Sequence, residues 1–355
     1  MLKKTILILF LSIFLLSSGC SDSTEDLAGS VEEVATAAAE VSGAIEEIEN
    51  ELNELEEIGE SVDTVLSDVD DIEENADGNT AGDTNEETPV ISNPSSDGED
   101  LRIGAFNIQV FGVTKASKPD VMLVLADIVR TYDIIAIQEI RDSSQTALPD
   151  LVNLVNSDGS QYDYVVSERL GRTSSKEQYA YIYDTTTVAV TGIPETYPEP
   201  EGTDPFHRQP YISSFSAVGG DYDAVLMVIH TDPDEATEEI NALDDVLEYA
   251  QMSYPDEGDF VIMGDFNADG NYFDEDSSSD LDSYFWLIDD SIDTTTKSTD
   301  YTYDRIVMTD TSDIVGDSGV FRYDLEYGLS EEMTVAVSDH YPVYMEVRCD
   351  GDSDL

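Results

Sequence analysis

The sequence predicts an α+β fold over residues 101–348, with two packed, mainly antiparallel sheets flanked by helices. Three observations lead to it. Short apolar runs of strand character recur through this stretch and outnumber the segments of helical periodicity. Charge divides the chain: residues 21–100 hold 27 Asp and Glu and no Lys or Arg, whereas residues 101–355 hold 52 acids and 13 bases among apolar runs. About 250 residues can bury roughly three quarters of their extended surface, enough for a sizeable core, whereas the acidic first hundred cannot build one. Finally, polar side chains of one chemical kind repeatedly follow the apolar runs.

In order, residues 101–108 (Leu-Arg-Ile-Gly-Ala-Phe-Asn-Ile) read as a strand. Residues 120–132 have helical periodicity, and Ile-Ile-Ala-Ile at 134–137 is a buried strand ending at Gln138 and Glu139. A helix over 148–156 precedes strand-like runs at 162–166, 179–183, 188–190, 212–217 and 224–229. A long helix over 235–252 leads into the strand 260–263, and the last strands lie near 305–308 and 343–347. Residues 349–355 form an acidic tail.

The segment before this domain reads differently. A basic start, Met1 to Lys4, is followed by an apolar stretch over residues 6–16 and then by Ser17-Ser-Gly-Cys20. A membrane span needs about 20 apolar residues, so the stretch suits an export signal instead. Leu-Ser-Ser-Gly-Cys resembles a bacterial lipoprotein box. That implies removal of residues 1–19, a lipid on Cys20, and an extracytoplasmic domain held at the outer membrane or cell surface. The alternative is an ordinary signal peptide with an incidental cysteine. With Cys20 lipidated, Cys349 is the one remaining thiol and no intrachain disulfide can form.

Over residues 20–75, Val31, Val34, Ala38, Val41, Ile45, Ile48, Leu52, Leu55, Val62, Leu66 and Val69 recur in steps of three and four, with Gly59 in the one skipped position. This heptad seam predicts an acidic coiled-coil stalk able to join copies of the chain; a lone amphipathic helix or a disordered acidic tail is the alternative. Residues 76–100, rich in Gly, Asn, Asp, Ser and Thr, read as a flexible linker. A formal charge of −64 disfavours compact states and repels polyanions in dilute buffer. Salt near 1 M shrinks the Debye length to about 3 Å and removes most of that penalty, so the composition points to a salt-rich habitat.

The polar residues at the strand ends are Asn107, Gln138 with Glu139, His230, Asp265 with Asn267, and Asp339 with His340. Carboxylates and amides suit Mg²⁺ or Ca²⁺, which prefer oxygen ligands. Two cysteines exclude a Cys-rich zinc site. The chain has only three histidines, His207, His230 and His340, and two of them stand in these clusters.

Phe106-Asn-Ile108, Ile137-Gln-Glu-Ile-Arg-Asp142, Gly264-Asp-Phe-Asn-Ala-Asp269, Tyr303-Asp-Arg-Ile-Val307 and Ser338-Asp-His-Tyr-Pro342 resemble the motif series of the endonuclease/exonuclease/phosphatase superfamily. Val165-Val-Ser-Glu-Arg-Leu-Gly-Arg172, Lys176-Glu177, Ile229-His230, Glu239-Ile-Asn241 and Tyr327-Gly-Leu-Ser330 resemble its deoxyribonuclease I branch. The resemblance covers residues 101–348. It implies a four-layer α/β/β/α sandwich that hydrolyses DNA phosphodiesters with a divalent ion and little sequence specificity. Glu139, Asp339 and Asp265 would hold Mg²⁺ (or Mn²⁺), and Asn107 and Asn267 would orient the phosphate. His340 would pair with Asp304 and His230 with Glu177, as acid and base. Arg141 and Arg208 would contact phosphates, and Arg172, Thr173 and Ser175 would line the substrate groove. Asp293, Thr295 and Thr299 match one structural Ca²⁺ loop, and Asp204 matches a ligand of another.

The sequence departs from the family at several points. Gln109 stands where an arginine is usual, and Thr173, Ser175 and Gln178 replace an asparagine, a tyrosine and an arginine of the minor-groove contact. Lys297 replaces a third threonine of the Ca²⁺ loop, and Gln209 a glutamate of the second Ca²⁺ site. Gly270 and Tyr301 occupy the positions of the family's long-range disulfide, and the small disulfide near Gly202 is missing as well. The competing functional readings are a sphingomyelinase-like or phosphoinositide phosphoesterase and a non-catalytic surface adhesin. Those phosphoesterase branches generally lack the second histidine–glutamate pair.

Overall fold

The computed structural model describes residues 100–173, 176–273, 279–298 and 300–353. The export segment, Cys20, the stalk and the linker up to residue 99 lie outside the described residues, as do Ser175 and Thr299. Among the described residues no helix is long and apolar enough to cross a membrane.

The first sheet holds β1 (Asp100–Phe111), β2 (Ile134–Ile140), β3 (Tyr162–Val166) and β4 (Gln178–Asp184), with β12 (Gly319–Val320) and β13 (Val343–Arg348) at its other side. Its order is β12-β13-β1-β2-β4-β3. The second holds β5 (Val188–Val190), β6 (Glu195–Thr196), β7 (Tyr211–Ala217), β8 (Asp223–His230), β9 (Phe260–Asp265), β10 (Phe285–Trp286) and β11 (Asp304–Met308). Its order is β10-β11-β9-β8-β7-β5, with β6 paired to β7. Each sheet has one parallel pair at its centre, β1 with β2 and β8 with β9, among antiparallel neighbours. The helices are α1 (Val113–Ala116), α2 (Pro119–Val129), α3 (Ala147–Val155), α4 (Ala236–Asn241), α5 (Leu243–Ser253), α6 (Tyr323–Glu326) and α7 (Glu331–Val337).

The central strands are apolar on both faces because both faces are covered. Ile103, Ala105, Ile134, Ala136, Tyr179 and Tyr181 meet Ala224, Leu226, Val228, Val261 and Met263 between the sheets. The alternate residues Phe106, Ile108, Ile135, Ile137, Ala180 and Ile182 face outward against Leu125, Val129, Leu151, Val155 and Val337 of α2, α3 and α7. On the second sheet, Val225, Met227, Ile229 and Ile262 pack on Ile240, Leu243, Val246, Leu247 and Ala250 of α4 and α5. Each such side chain contributes about 1.5–3 kcal/mol on leaving water. The result is the four-layer α/β/β/α sandwich.

Three local features differ from the sequence reading. The helix foreseen over 235–252 is two helices meeting at Ala242. The break turns both the buried Glu239 and the apolar stripe of α5 inward, and Glu239 then accepts the His207 and Asp232 N–H groups at 3.0 and 3.3 Å. Helix α7 was not foreseen; Ser330 caps it, its hydroxyl accepting from the Met333 N–H. The strands also outrun their apolar runs, so Gln138, Glu139, His230 and Asp265 are strand residues.

Strand polarity positions the site. The carboxyl ends of β1, β2, β8 and β9 lie at the same edge as the amino ends of their antiparallel neighbours β4, β11 and β13. Asp304 pairs in register with Asp265, and His230 with Asp265.

Candidate active site

Local backbone irregularity turns the polar groups into this edge. The β1–β2 register shifts between Asn107 and Phe111, and Val110 and Glu139 have φ of 48° and 58°. Such left-handed conformations cost about 1–3 kcal/mol each and persist where surroundings over-determine them. Here the Val110 N–H donates to Glu139 Oε2 at 2.8 Å, which holds the bulge closed. Asn267 has φ 48°, with its N–H on Asp265 Oδ1 at 3.0 Å and its amide donating to the carbonyl and hydroxyl of Thr231. Gly264 adopts φ 136°, and a Cβ there would collide with the Ile229 carbonyl of β8.

Asn107 bridges the two sheets. Its Nδ2 donates to Asp265 Oδ2 at 2.9 Å and to Glu139 Oε1 at 3.2 Å. His230 Nδ1 lies 2.9 Å from Glu177 Oε2, and His340 Nδ1 lies 2.7 Å from Asp304 Oδ2. Both Nε2 atoms face Asp265 Oδ2, at 3.5 and 3.6 Å, and His340 Nε2 is also 3.8 Å from Asp339 Oδ1. Burial opposes charging of His340, yet Asp304, Asp265 and Asp339 outweigh it and hold the imidazole up at about 10. Burial and Arg208 oppose charging of His230, but Glu177 raises it above the usual imidazole value. Burial would raise Glu177, and His230, Arg208 and Arg141 instead hold it at about 2.

Asp339 is held on its other side by Gln109 Nε2 at 2.8 Å and Lys297 Nζ at 3.3 Å. One oxygen each of Asp265 and Asp304 and a ring nitrogen of His340 lie within 4.8 Å of one another. Asn107 holds Glu139 beside that group. Buried Asn107 Oδ1, Asp304 Oδ1 and Asp339 Oδ1 accept no hydrogen bond. Unsatisfied acceptor oxygens and a carboxylate–amide donor set fit a hard divalent cation.

The expected phosphate and groove residues are placed unevenly. Arg208 is buried, its guanidinium donating to the His230 and Thr231 carbonyls at 3.0 and 2.9 Å and lying 3.5 Å from Glu177. Arg141 is half-exposed, 4.0 Å from Glu177. Arg172 is turned to the Glu235 carboxylate at 2.5 Å and the Asp204 carboxylate at 3.1 Å, and it also donates to the Asp204 carbonyl. Thr173 is exposed. Gln178, in place of the family's groove arginine, is buried and donates to the Ser167 carbonyl at 2.7 Å. Asp293 Oδ1 accepts from the N–H and hydroxyl of Thr295 at 2.9 and 2.7 Å.

Sequence reasoning missed Lys115 and Thr231, and it named Ser338 and Tyr303 as motif residues without giving them a role. Lys115 is buried, donates to the Val337 carbonyl at 2.8 Å, and is lowered by burial to about 8 although Asp339 and Glu139 pull it upward. Its rarity, one lysine of six in the chain, was the available signal. The Ser338 hydroxyl donates to the Asn107 carbonyl at 2.6 Å and accepts the His340 N–H, tying the Ser-Asp-His motif to β1. The Tyr303 ring packs 6.2 Å from the His340 ring.

Residues 104–340 match the Endonuclease/Exonuclease/phosphatase family. The chain is 41% identical over 259 residues to deoxyribonuclease-1 of Ovis aries, covering 68% of this chain and 98% of that protein. With deoxyribonuclease-1 of Homo sapiens it is 39% identical over 264 residues, 70% of this chain and 92% of that one. The chain belongs to the endonuclease/exonuclease/phosphatase family, in its deoxyribonuclease I branch. The sandwich is also shared with a solved endonuclease/exonuclease/phosphatase family protein of Bacteroides thetaiotaomicron, with a TM-score of 0.51 at 17% identity, over 71% of this chain and 98% of that one.

Proposed function

We propose that this chain is an exported, lipid-anchored, divalent-metal-dependent endonuclease. It hydrolyses DNA phosphodiester bonds with little sequence specificity and works in high salt. The observation that carries the hydrolytic reading is the pair of imidazoles aimed at one oxygen of Asp265, each with a carboxylate on its far nitrogen. The deoxyribonuclease-1 relatives support DNA as the substrate. The apolar segment over residues 6–16 with the Ser17-Ser-Gly-Cys20 that follows it supports export and lipidation, and the charge of −64 supports the salt-rich setting. The heptad seam supports a stalk that joins copies of the chain.

Glu139, Asp339 and Asp265 would hold Mg²⁺ or Mn²⁺, and a bound cation offsets the charge that develops on the phosphoryl oxygens. Asn107 and Asn267 would orient the phosphate, their amides held beside the site by Asp265, Glu139 and Thr231. One imidazole takes a proton from the attacking water at Nε2; the other delivers a proton from Nε2 to the departing sugar oxygen. Glu177 and Asp304 accept from Nδ1, which fixes the tautomer and favours the charged ring. Arg208 orients Glu177 and the His230 backbone. The Asp293–Thr295 loop supports Ca²⁺ binding as a structural element.

The test is conversion of supercoiled plasmid by the purified full chain with Mg²⁺, Mn²⁺, Ca²⁺ or EDTA, beside hydrolysis of a sphingomyelin substrate. Nicking that needs the divalent ion is expected. Hydrolysis of the phospholipid with intact plasmid would overturn the reading in favour of the related phosphoesterase.

A further inference from the structure

A second carboxylate group lies at the opposite edge of the sandwich. Asp259 immediately precedes β9 and Asp265 ends it, so at roughly 3.3 Å per residue the two are about 20 Å apart. Oxygens of Asp259, Asp313 and Asp352 lie within 4.8 Å of one another. Asp259 and Asp313 are buried, at 2% and 1% exposure, and Asp352 is half-buried. These residues come from three places: the turn before β9, the segment after β11, and the chain beyond β13.

Two buried polar atoms at this place independently point to a ligand. Asp313 Oδ2 accepts the Ser353 hydroxyl at 2.8 Å, but its Oδ1 accepts no hydrogen bond. Tyr222 is 2% exposed and its hydroxyl has no hydrogen-bond partner. After burial, the influences on that hydroxyl are the carboxylates of Asp259, Glu257, Asp313 and Asp352. A buried unpaired carboxylate oxygen costs several kcal/mol unless it is neutralised or coordinated.

The chain after β13 is drawn onto this place. Cys349 is buried and its carbonyl accepts the Asp221 and Tyr222 N–H groups at 3.1 and 3.2 Å. The Asp223 N–H donates to Asp352 Oδ2 at 3.2 Å, and the Arg348 N–H to the Asp313 carbonyl at 2.8 Å. Residues 349–353, read from sequence as an acidic tail, therefore bring more negative charge onto a negative surface.

We propose that Asp259, Asp313 and Asp352 form a Ca²⁺ site that fastens the carboxyl-terminal residues to the domain. Ca²⁺–oxygen bonds of about 2.4 Å place ligand oxygens at most about 5 Å apart, which the observed spacing satisfies. The Tyr222 hydroxyl and the Asp223 and Glu257 carboxylates flank the site, where a metal-bound water can reach them. Mg²⁺ suits it less well, because it dehydrates reluctantly and two of the three ligands are buried. The site is separate from the catalytic edge and stands whether or not the chain cleaves DNA.

The experiment compares the full chain with Asp313→Asn and Asp352→Asn in 1 M NaCl, where general charge screening is saturated. Each variant should bind one Ca²⁺ fewer by titration calorimetry and lose part of the Ca²⁺-induced rise in melting temperature. In EDTA each should melt at the same temperature as the parent chain or higher, since one negative charge is gone. Unchanged Ca²⁺ stoichiometry in both variants would overturn the proposal. So would a higher melting temperature for the variants in Ca²⁺ as well as in EDTA, which would mean that protons or Na⁺ satisfy the carboxylates. If Asp313→Asn does not fold, Asp352→Asn, with its half-buried side chain, carries the same comparison.

Discussion

His230 and His340 direct their Nε2 atoms at the same oxygen, Oδ2 of Asp265, from 3.5 and 3.6 Å. One ends β8 and the other precedes β13, so each comes from a different sheet. Each carries its own carboxylate on Nδ1, Glu177 or Asp304. The pair therefore has a near two-fold chemical arrangement about Asp265, in which neither imidazole can replace the other.

Replacing either ring should remove one proton transfer. His230→Ala and His340→Ala are each expected to lower turnover on plasmid DNA by about two orders of magnitude or more, with the circular dichroism spectrum unchanged. Near-normal rates in both variants would show that neither ring handles the proton.

The same residues set a pH dependence of stability in EDTA. Glu177 sits at about 2 in the fold against 4.5 when free, the cationic partners overcoming burial. Its folded value is depressed, so its stabilisation, on the order of 3 kcal/mol, is present above about pH 4.5 and lost as the pH falls towards 2. His340 is raised from 6.5 to about 10, so its contribution is full below 6.5 and lost as the pH rises through 10. Urea midpoints should fall as the pH drops from about 4.5 towards 2 and again as it rises from 6.5 towards 10, while Asp304 and Glu239, raised by burial to about 6 and about 7, lower stability as they ionise between about pH 4 and 7. Glu177→Gln should flatten the acid side, and an unaltered acid side would contradict the assignment.

Arg208 is engaged on three sides by the His230 and Thr231 carbonyls and by Glu177. Removing one partner of a buried ion pair leaves the other uncompensated, at a cost of about 3–5 kcal/mol. Arg208→Met is expected to lose that much stability in denaturant titration and to lower kcat more than it raises KM. A loss confined to KM would instead mark Arg208 as a direct phosphate contact.

Lys297 reaches Asp339 from the loop in which a threonine would be usual for the family. Exposed ion pairs contribute about 0–1 kcal/mol, so Lys297→Thr should change stability little. It removes a positive charge beside an expected metal ligand, and the half-saturating Mg²⁺ concentration for nicking should fall about three- to ten-fold. A rise in that concentration would show that Lys297 assists the ion's binding.

Salt should act in an unusual direction. DNA binding ordinarily weakens with a log–log slope of about −0.9 per phosphate neutralised. Here Gln109 is tied to Asp339, Gln178 is buried, and Arg172 is paired with Asp204 and Glu235, which leaves few cations for phosphates. Screening of the acidic surface should then outweigh the loss of local contacts, and activity on duplex DNA should rise from about 0.1 M towards 1 M NaCl. A monotonic fall with the fold intact would show that local contacts dominate.

The sequence by itself determined the layers and the edge at which the site forms. Short β-branched runs such as Ile134-Ile-Ala-Ile137 read as strands buried on both faces, and Asn107, Glu139, His230 and Asp265 stand at the ends of such runs. Motif spacing also carried the family. Only the tertiary structure decided how distant groups are engaged, because a side chain's partner depends on strand order rather than on sequence distance. Gln178 could have faced the groove, yet strand alternation turns it into the interior. Arg172 could have met a phosphate, yet loop packing sets it between Asp204 and Glu235. Asp313 and Asp352 carry no motif and read as surface acids. They gain a shared role only because the chain beyond β13 folds back across the amino end of β9 and buries their oxygens together.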